Sequence, residues 1–411
     1  MVYLHVPFCR SFCTYCDFYS EIACRDRDAQ SFELYTQALC AEASLRRDEI
    51  EATRDLNTLY IGGGTPSVLP PVFLRRLVEG VGGGPYTEFT VEVNPEDIVE
   101  KGPDYVRELL ALGVNRVSMG VQSLDDGILR WMNRRHDAAR ARQAFGILRE
   151  AGVGNISVDL IFGISQLSEA VFAETLREVL AWRPEHVSAY QLSIEDGSAL
   201  AELVRRGRYS EAPQEQCAAQ YRQLCDALRD AGYVHYEISN WALPGHEAVH
   251  NSAYWSRHPY VGLGPAAHSF DGHSRSWNPE TVTFAHAATA SGNRSHPRLR
   301  KREGPEELWP GDASSLAGDG TKFCGRGPAQ PDVSGGSSPL REGYEKLSAE
   351  EAREEEIMLG LRTARGVTDG RIDAAKATAA LADGRLERAG GRLRIPEDRW
   401  FVSDDIIADL V

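Results

Sequence analysis

At 411 residues, with 42% hydrophobic and 26% charged side chains, the chain has a globular composition and enough length for two or three domains. It has no run of about 18 apolar residues, which excludes a membrane-spanning helix, and no basic n-region with an apolar h-region at its start, so a cytoplasmic location is expected. The net charge of −15 argues against nucleic acid as the main partner, because phosphate binding needs a basic surface; a local basic site for a carboxylate-bearing ligand stays open.

Short β-branched segments alternate with longer amphipathic ones through the first 240 residues. The predicted strands are Val2–Val6, Thr58–Gly62, Thr90–Val93, Arg116–Gly120, Ser157–Ile161 and His186–Leu192. Between them, Phe32–Ile50, Tyr105–Leu112, Arg140–Ala151 and Val171–Trp182 carry helical periodicity. Strand-plus-helix units repeating in this way predict an α/β fold with a parallel sheet, either a curved open barrel or a doubly wound sheet. Six units, below the eight of a closed TIM barrel, favour a partial (β/α)6 barrel. Gln214–Ala231 reads as a further helix, and Tyr233–Asn278 is rich in Gly, aromatics and His. From 291 to about 340 the composition shifts to Gly, Pro and Ser without apolar periodicity, as expected of a disordered insertion or linker. Ser348-Ala349-Glu350-Glu351 is a capping box opening a helix through Leu361, and Leu386–Leu410 has the strand and helix pieces of a small winged-helix-like α+β end.

Directly after the first strand comes Cys9-Arg10-Ser11-Phe12-Cys13-Thr14-Tyr15-Cys16, a C-x3-C-x2-C motif. Three thiolates on one short loop can hold three corners of a [4Fe–4S] cube and leave the fourth iron open. An open iron can bind the amino and carboxylate groups of S-adenosylmethionine (SAM) and pass one electron to its sulfonium, giving a 5′-deoxyadenosyl radical. The competing zinc reading needs a fourth Cys or His and paired knuckles, and His5 precedes the loop on the strand. The other cysteines, Cys24, Cys40, Cys217, Cys225 and Cys324, are scattered and read as small hydrophobes or surface thiols.

The cysteine loop, Tyr60-Ile61-Gly62-Gly63-Gly64-Thr65-Pro66-Ser67, Val91-Glu92-Val93-Asn94-Pro95 and Gly120-Val121-Gln122-Ser123 together resemble the radical SAM family that contains oxygen-independent coproporphyrinogen III dehydrogenase. Within it the chain looks most like the HemW branch, the haem chaperones, from residue 1 to about 285 and again from about 345. The resemblance implies cluster ligation by Cys9, Cys13 and Cys16, and a SAM pocket lined by Tyr3, Tyr15, Gly63, Gly64, Thr65, Glu92, Gln122, Arg134 and Asp159. Glycines at a strand end let backbone approach a ligand, and a carboxylate such as Glu92 suits ribose hydroxyls or an amino group. A mostly apolar barrel interior is expected to protect the radical.

Two features separate the branches. The dehydrogenases resemble C-x3-C-x2-C-x-C, and the position of their fourth cysteine is Phe18 here; they also carry an extension before the cluster, which here starts at residue 9. Both departures weigh against porphyrinogen oxidation. His250-Asn251-Ser252-Ala253-Tyr254-Trp255 resembles the HNxxYW motif associated with haem binding, which makes His250 the candidate haem ligand ahead of His246, His258 and His268. The expected organisation is a radical SAM barrel over 1–240, a haem-binding segment over 241–290, the linker over 291–345 and a small C-terminal domain over 346–411. The expected activity is haem carriage to haemoproteins, those of the respiratory chain included. Such work is compatible with peripheral membrane association and with a homodimer.

Overall fold

The computed structural model describes residues 1–23, 28–280 and 341–411. Six parallel strands lie side by side in chain order: β1 (Val2–Val6), β2 (Thr58–Gly63), β3 (Glu88–Val93), β4 (Arg116–Gln122), β5 (Ile156–Phe162) and β6 (His186–Gln191). Parallel neighbours need long crossovers. These are supplied by α1 (Asp28–Leu45), α2 (Pro71–Val81), α3 (Pro95–Ala111), α4 (Asp126–Trp131), α5 (Ala138–Glu150) and α6 (Glu169–Trp182). After β6 come α7 (Ala199–Arg205) and α8 (Gln214–Asp230). Several helices start where a side chain accepts from an otherwise unpaired N–H: Asp125 from Ile128, Asp137 from Arg140 and Ser168 from Val171.

The sheet continues past the six strands. A hairpin of β7 (Val234–Glu237) and β8 (Asn240–Ala242) adds antiparallel to β6, and after α9 (Val249–Trp255) the strand β9 (Val261–Leu263) pairs parallel with β1. The order is β9-β1-β2-β3-β4-β5-β6-β8-β7, an open barrel whose two edges do not pair with each other. The boundary expected at residue 240 therefore falls at the start of a strand, and the segment after it is part of the main sheet at both edges.

Each strand alternates with period two. Leu59 and Ile61, Phe89, Val91 and Val93, Val117, Met119 and Val121, and Ile156, Val158 and Leu160 share one hydrophobic core with Leu77 of α2, Val106 and Leu109 of α3, Leu148 of α5 and Phe172 of α6. Full burial of such a side chain is worth about 1.5–3 kcal/mol, so helix docking on this face is the main cohesive term. The alternate positions are polar and equally buried: Thr58, Glu88, Thr90, Arg116, Ser118, Ser157, His186 and Ser188. They hydrogen-bond across the interior, as in Tyr60 to Glu92, Ser118 to Asp159 and Ser157 to His186. The interior is thus a polar lumen, which corrects the expectation of a mostly apolar one.

A smaller α+β unit closes the chain. The strands β10 (His268–Phe270), β11 (Ser274–Trp277) and β12 (Gly343–Lys346) form one sheet, and α10 (Ala349–Leu361) opens on the expected capping box, with Ser348 and Glu351 each accepting from the other's backbone N–H. Then follow β13 (Val367–Thr368), α11 (Ala374–Ala382), β14 (Glu387–Ala389), β15 (Arg392–Arg394) and α12 (Ser403–Leu410). This unit docks on the β7–β8 hairpin through Trp400 against His235 and the Ile238 N–H to Arg362 carbonyl bond. Most of the expected linker, along with Cys24 and Cys324, lies outside the described residues. Among the described residues no helix is long and apolar enough to cross a membrane.

Candidate functional site

The cysteine loop leaves the C-terminal end of β1 and is tied at both flanks. At its base Phe8–Cys9 pairs parallel with Glu21–Ile22, and the Ala23 N–H reaches the Cys9 carbonyl at 2.9 Å. Across the loop, the Thr14 N–H and hydroxyl donate to the Met132 and Trp131 carbonyls at 3.0 and 2.9 Å, and Asn133 Nδ2 donates to the Phe12 carbonyl at 2.7 Å. The end of α4 therefore fixes where the loop lies. Cys9, Cys13 and Cys16 are free thiols of intermediate burial. Burial pushes the Cys9 thiol up and that of Cys16 up to about 12; iron reverses this, because a bound cation dominates the local charge.

The end of β2 lies against this loop because it has no Cβ atoms. Gly63 has φ +111°, which favours glycine, and a Cβ there would stand 2.8 Å from the His5 ring. One on Gly64 would stand 2.9 Å from the Phe8 carbonyl oxygen, 3.0 Å from that of Val6 and 3.1 Å from Cys9 Sγ. Next along the chain, buried Thr65 sits with its hydroxyl 3.5 Å from Cys9 Sγ and accepts from Asn94 Nδ2 at 3.2 Å. Arg134, just past α4, donates to Cys13 Sγ at 3.4 Å, to Asn94 Oδ1 at 2.7 Å and to the Gly120 carbonyl at 2.8 Å. Asn94 thus links the ends of β2, β3 and β4. It lies in the Val91–Pro95 motif, but only the fold reveals what its amide joins.

Below this rim, Glu92 accepts from the Tyr60 hydroxyl at 2.7 Å and the Gly63 N–H at 3.1 Å, and burial pushes its carboxyl up to about 7. Asp159 accepts from Ser118 at 3.0 Å and from Ser157 at 3.3 Å, and burial also raises its carboxyl. Gln122 ends β4 with φ +66°, a left-handed turn of the kind found where backbone conformation serves a site. Tyr3 bonds His5 Nδ1 at 3.0 Å beside the Tyr60 ring, and Tyr15 packs on the core within the loop. The three cysteines, Gly63, Gly64, Thr65, Glu92 and Arg134 thus form one connected group at the strands' C-terminal ends, with Gln122 at its edge and Asp159 and Tyr3 deeper in the lumen. Sequence reasoning gives no role to His5, Tyr60 or Ser118, although they occupy the lumen-facing alternate positions.

His250 lies elsewhere. It is 0% exposed on α9, with Nδ1 2.8 Å from the Thr58 hydroxyl and Nε2 3.0 Å from the Tyr254 hydroxyl, and its own N–H donates to Glu88. Thr58 and Glu88 begin β2 and β3, so His250 stands at the barrel end opposite the cysteine loop. Both ring nitrogens are engaged: coordination of haem iron through Nε2 would displace the Tyr254 hydroxyl and leave the Nδ1–Thr58 bond in place. His246 and His258 sit on the same connection, His258 beside Asp55, and His268 is exposed with its ring stacked on Trp277. The expected effect of His250→Ala is structural, a destabilisation of about 2–4 kcal/mol from two orphaned hydroxyls and a cavity. Denaturant melts check this; a haem spectrum lost from a fully stable variant would show instead that the imidazole is a ligand.

An open parallel barrel with C-x3-C-x2-C at the end of its first strand is the architecture of a radical SAM protein, and residues 3–179 match the model of the radical SAM superfamily. Heme chaperone HemW of Mycobacterium tuberculosis (strain ATCC 25618 / H37Rv) is 32% identical over 418 residues, covering 100% of this chain and 94% of that protein. Heme chaperone HemW of Bacillus subtilis (strain 168) is 34% identical over 281 residues, covering 67% of this chain and 72% of that one. The chain belongs to the HemW family of radical SAM proteins. The structure of coproporphyrinogen III oxidase (HemN) from Escherichia coli superposes with a TM-score of 0.72 at 18% identity, covering 99% of this chain and 89% of that one; the likeness is one of fold.

The superfamily implies a [4Fe–4S] cluster and SAM, and the residues present fit both. Two of the thiols face side-chain donors, Thr65 and Arg134, and the glycine end of β2 leaves backbone open beside them. Among the described residues no three His, Cys, Asp or Glu side chains converge as a single ion requires. A cube that takes each thiolate on its own iron does not require that convergence.

Proposed function

We propose that this protein is a cytoplasmic haem chaperone that carries haem to haemoproteins, holding a [4Fe–4S] cluster on Cys9, Cys13 and Cys16 and SAM on the surrounding rim. The observation that carries the reading is the end-to-end likeness, at 32% identity, to a protein named as a heme chaperone. Phe18, 67% exposed on the cysteine loop where the dehydrogenases would have a fourth cysteine, supports it against porphyrinogen oxidation. When bound, the cluster supplies an electron to the sulfonium of SAM. The chain's own residues hold and orient: Gly63 and Gly64 give close backbone approach, Arg134 locks the loop to β4, and Gln122, Asp159, Tyr3 and Tyr15 complete the pocket. Recipients in the respiratory chain, peripheral contact with a membrane and a homodimer belong to the same reading. Its test is anaerobic reconstitution, haem titration and transfer to an apo-haemoprotein. Haem bound and passed on supports the chaperone; no haem spectrum, with SAM and coproporphyrinogen consumed, overturns it.

Glu92 gives this reading a proton signature. Its carboxyl, raised to about 7, is about half protonated at pH 7. A cationic ligand placed beside it lowers that value, so SAM binding at pH 7 should release about half a proton from Glu92. Calorimetry in buffers of different ionisation heat measures the release. Glu92→Gln should abolish it, and an unchanged proton count in that variant would remove Glu92 from the pocket. Stability has the matching sign. The folded value lies above the unfolded one, so Glu92 favours folding below about pH 4.5 and that contribution is lost as pH rises to about 7.

A further inference from the structure

Arg116 is a charged lumen group whose chemistry neither the cluster nor the SAM rim uses. It opens β4 and is 1% exposed, and its guanidinium lies inside the barrel with Nη1 3.5 Å from the Thr90 hydroxyl. Nε and Nη2 are buried without a hydrogen-bond partner among the described residues. The lumen carboxylates have other donors: Glu92 has Tyr60 and the Gly63 N–H, Asp159 has Ser118 and Ser157, and Glu88 has the Val249 and His250 N–H groups.

The two orphaned atoms are not an arbitrary pair. Nε and Nη2 form one edge of the planar guanidinium, where two N–H bonds run parallel, the edge that meets a carboxylate in a bidentate fork. Lysine, a point charge on a flexible stem, does not reproduce that edge. Along β4, the Arg116 backbone lies four residues from the Gly120 carbonyl gripped by Arg134, roughly 13 Å below the mouth at about 3.3 Å per residue. That depth suits the end of an aliphatic chain and not a macrocycle.

We propose that the Nε–Nη2 edge of Arg116 is an internal carboxylate site, which takes an aliphatic carboxylate extending into the lumen. The carboxylate belongs to a small free acid: the propionate arm of a haem, two methylenes and a carboxyl long, is too short to reach that depth from a macrocycle at the mouth. Propionate, succinate and the uncharged propionamide are tested at millimolar concentration by thermal shift on wild type and Arg116→Lys. Propionate or succinate should raise the melting temperature of wild type, propionamide should not, and Arg116→Lys should lose the response while keeping its fold and charge. No stabilisation of wild type by either acid, equal stabilisation by propionamide, or an undiminished response in Arg116→Lys overturns the site. Should Arg116→Lys fail to fold, the comparison of acid with amide on wild type still decides.

Discussion

Gly64→Ala should leave a folded protein that takes up less than about a tenth of the wild-type iron on anaerobic reconstitution. The reason is steric. Two of the atoms an added Cβ would meet are backbone carbonyl oxygens, at 2.9 Å on Phe8 and 3.0 Å on Val6, and the third is Cys9 Sγ at 3.1 Å. A flexible side chain could swing away from such an overlap, but these carbonyls are held. The Val6 oxygen accepts the Gly64 N–H at 2.7 Å, and the Phe8–Cys9 segment is paired with Glu21–Ile22. Relief must therefore separate the end of β2 from the cysteine loop, moving Cys9 from Thr65 and changing the spacing of three sulfurs that must meet one cluster. Iron and sulfide per chain, with far-UV circular dichroism as the folding check, measure the effect. Gly146→Ala is the control. It sits inside α5 with nothing within 4 Å of an added Cβ, so it should keep full iron uptake and gain about 0.5–1 kcal/mol of stability. Wild-type iron uptake by Gly64→Ala would show that the glycine end of β2 is not a spacing device.

Period and punctuation make much of the barrel readable. Each of the six parallel strands is legible to within two residues, because a β-branched run of four to seven residues between helical stretches has few other solutions. The helix α2 escapes that reading although Pro71 opens it and Gly82, at φ +68°, closes it; both signals are in the chain, and the flanking Gly-rich segment masks them. In α3, Gly102 at φ +70° and Pro103 break the helix, so periodicity exposes only its second half. The polar lumen escapes for a different reason. Parallel strands usually read as continuous apolar runs, and the alternation of Leu59 and Ile61 with Thr58 and Tyr60 signals a strand without saying what the second face meets. Long-range geometry is beyond reach: nothing local to Arg134 points to Cys13, 121 residues away, or to Asn94. The partners of His250 are out of local reach in the same way. A motif gives it a ligand's role, and the fold gives its two nitrogens to Thr58 and Tyr254.

Arg46→Ala should destabilise the protein by about 3–5 kcal/mol, a loss as large as truncating a buried aromatic. Arg46 and Glu42, one helical turn apart at the end of α1, are buried as an ion pair. Arg46 also donates to the Gly262 carbonyl at 2.7 Å, the Ser269 hydroxyl at 2.9 Å and Glu49 at 2.8 Å. Glu42 accepts from the Gly264 N–H at 2.9 Å and from Asn278 Nδ2 at 2.7 Å. A buried pair is weak evidence of stability when apolar residues could replace it. Here Gly262, Ser269, Gly264 and Asn278 all belong to segments over 200 residues away, so no apolar substitute satisfies the same groups. Removing Arg46 strands a buried carboxylate whose value burial already raises, with the Arg46 charge and its hydrogen bonds opposing that rise. The damage falls on β9, which pairs with β1 through Val2, Tyr3 and Leu4. Since β1 leads into the cysteine loop, Arg46→Ala should bind iron normally in the cold and lose it near its lowered melting temperature, whereas Gly64→Ala fails at every temperature. Denaturant midpoints, and iron content followed from the cold up to the melting transition, separate the two. A loss below about 1 kcal/mol would mean that β9 is held to β1 by its strand pairing and not by this clasp.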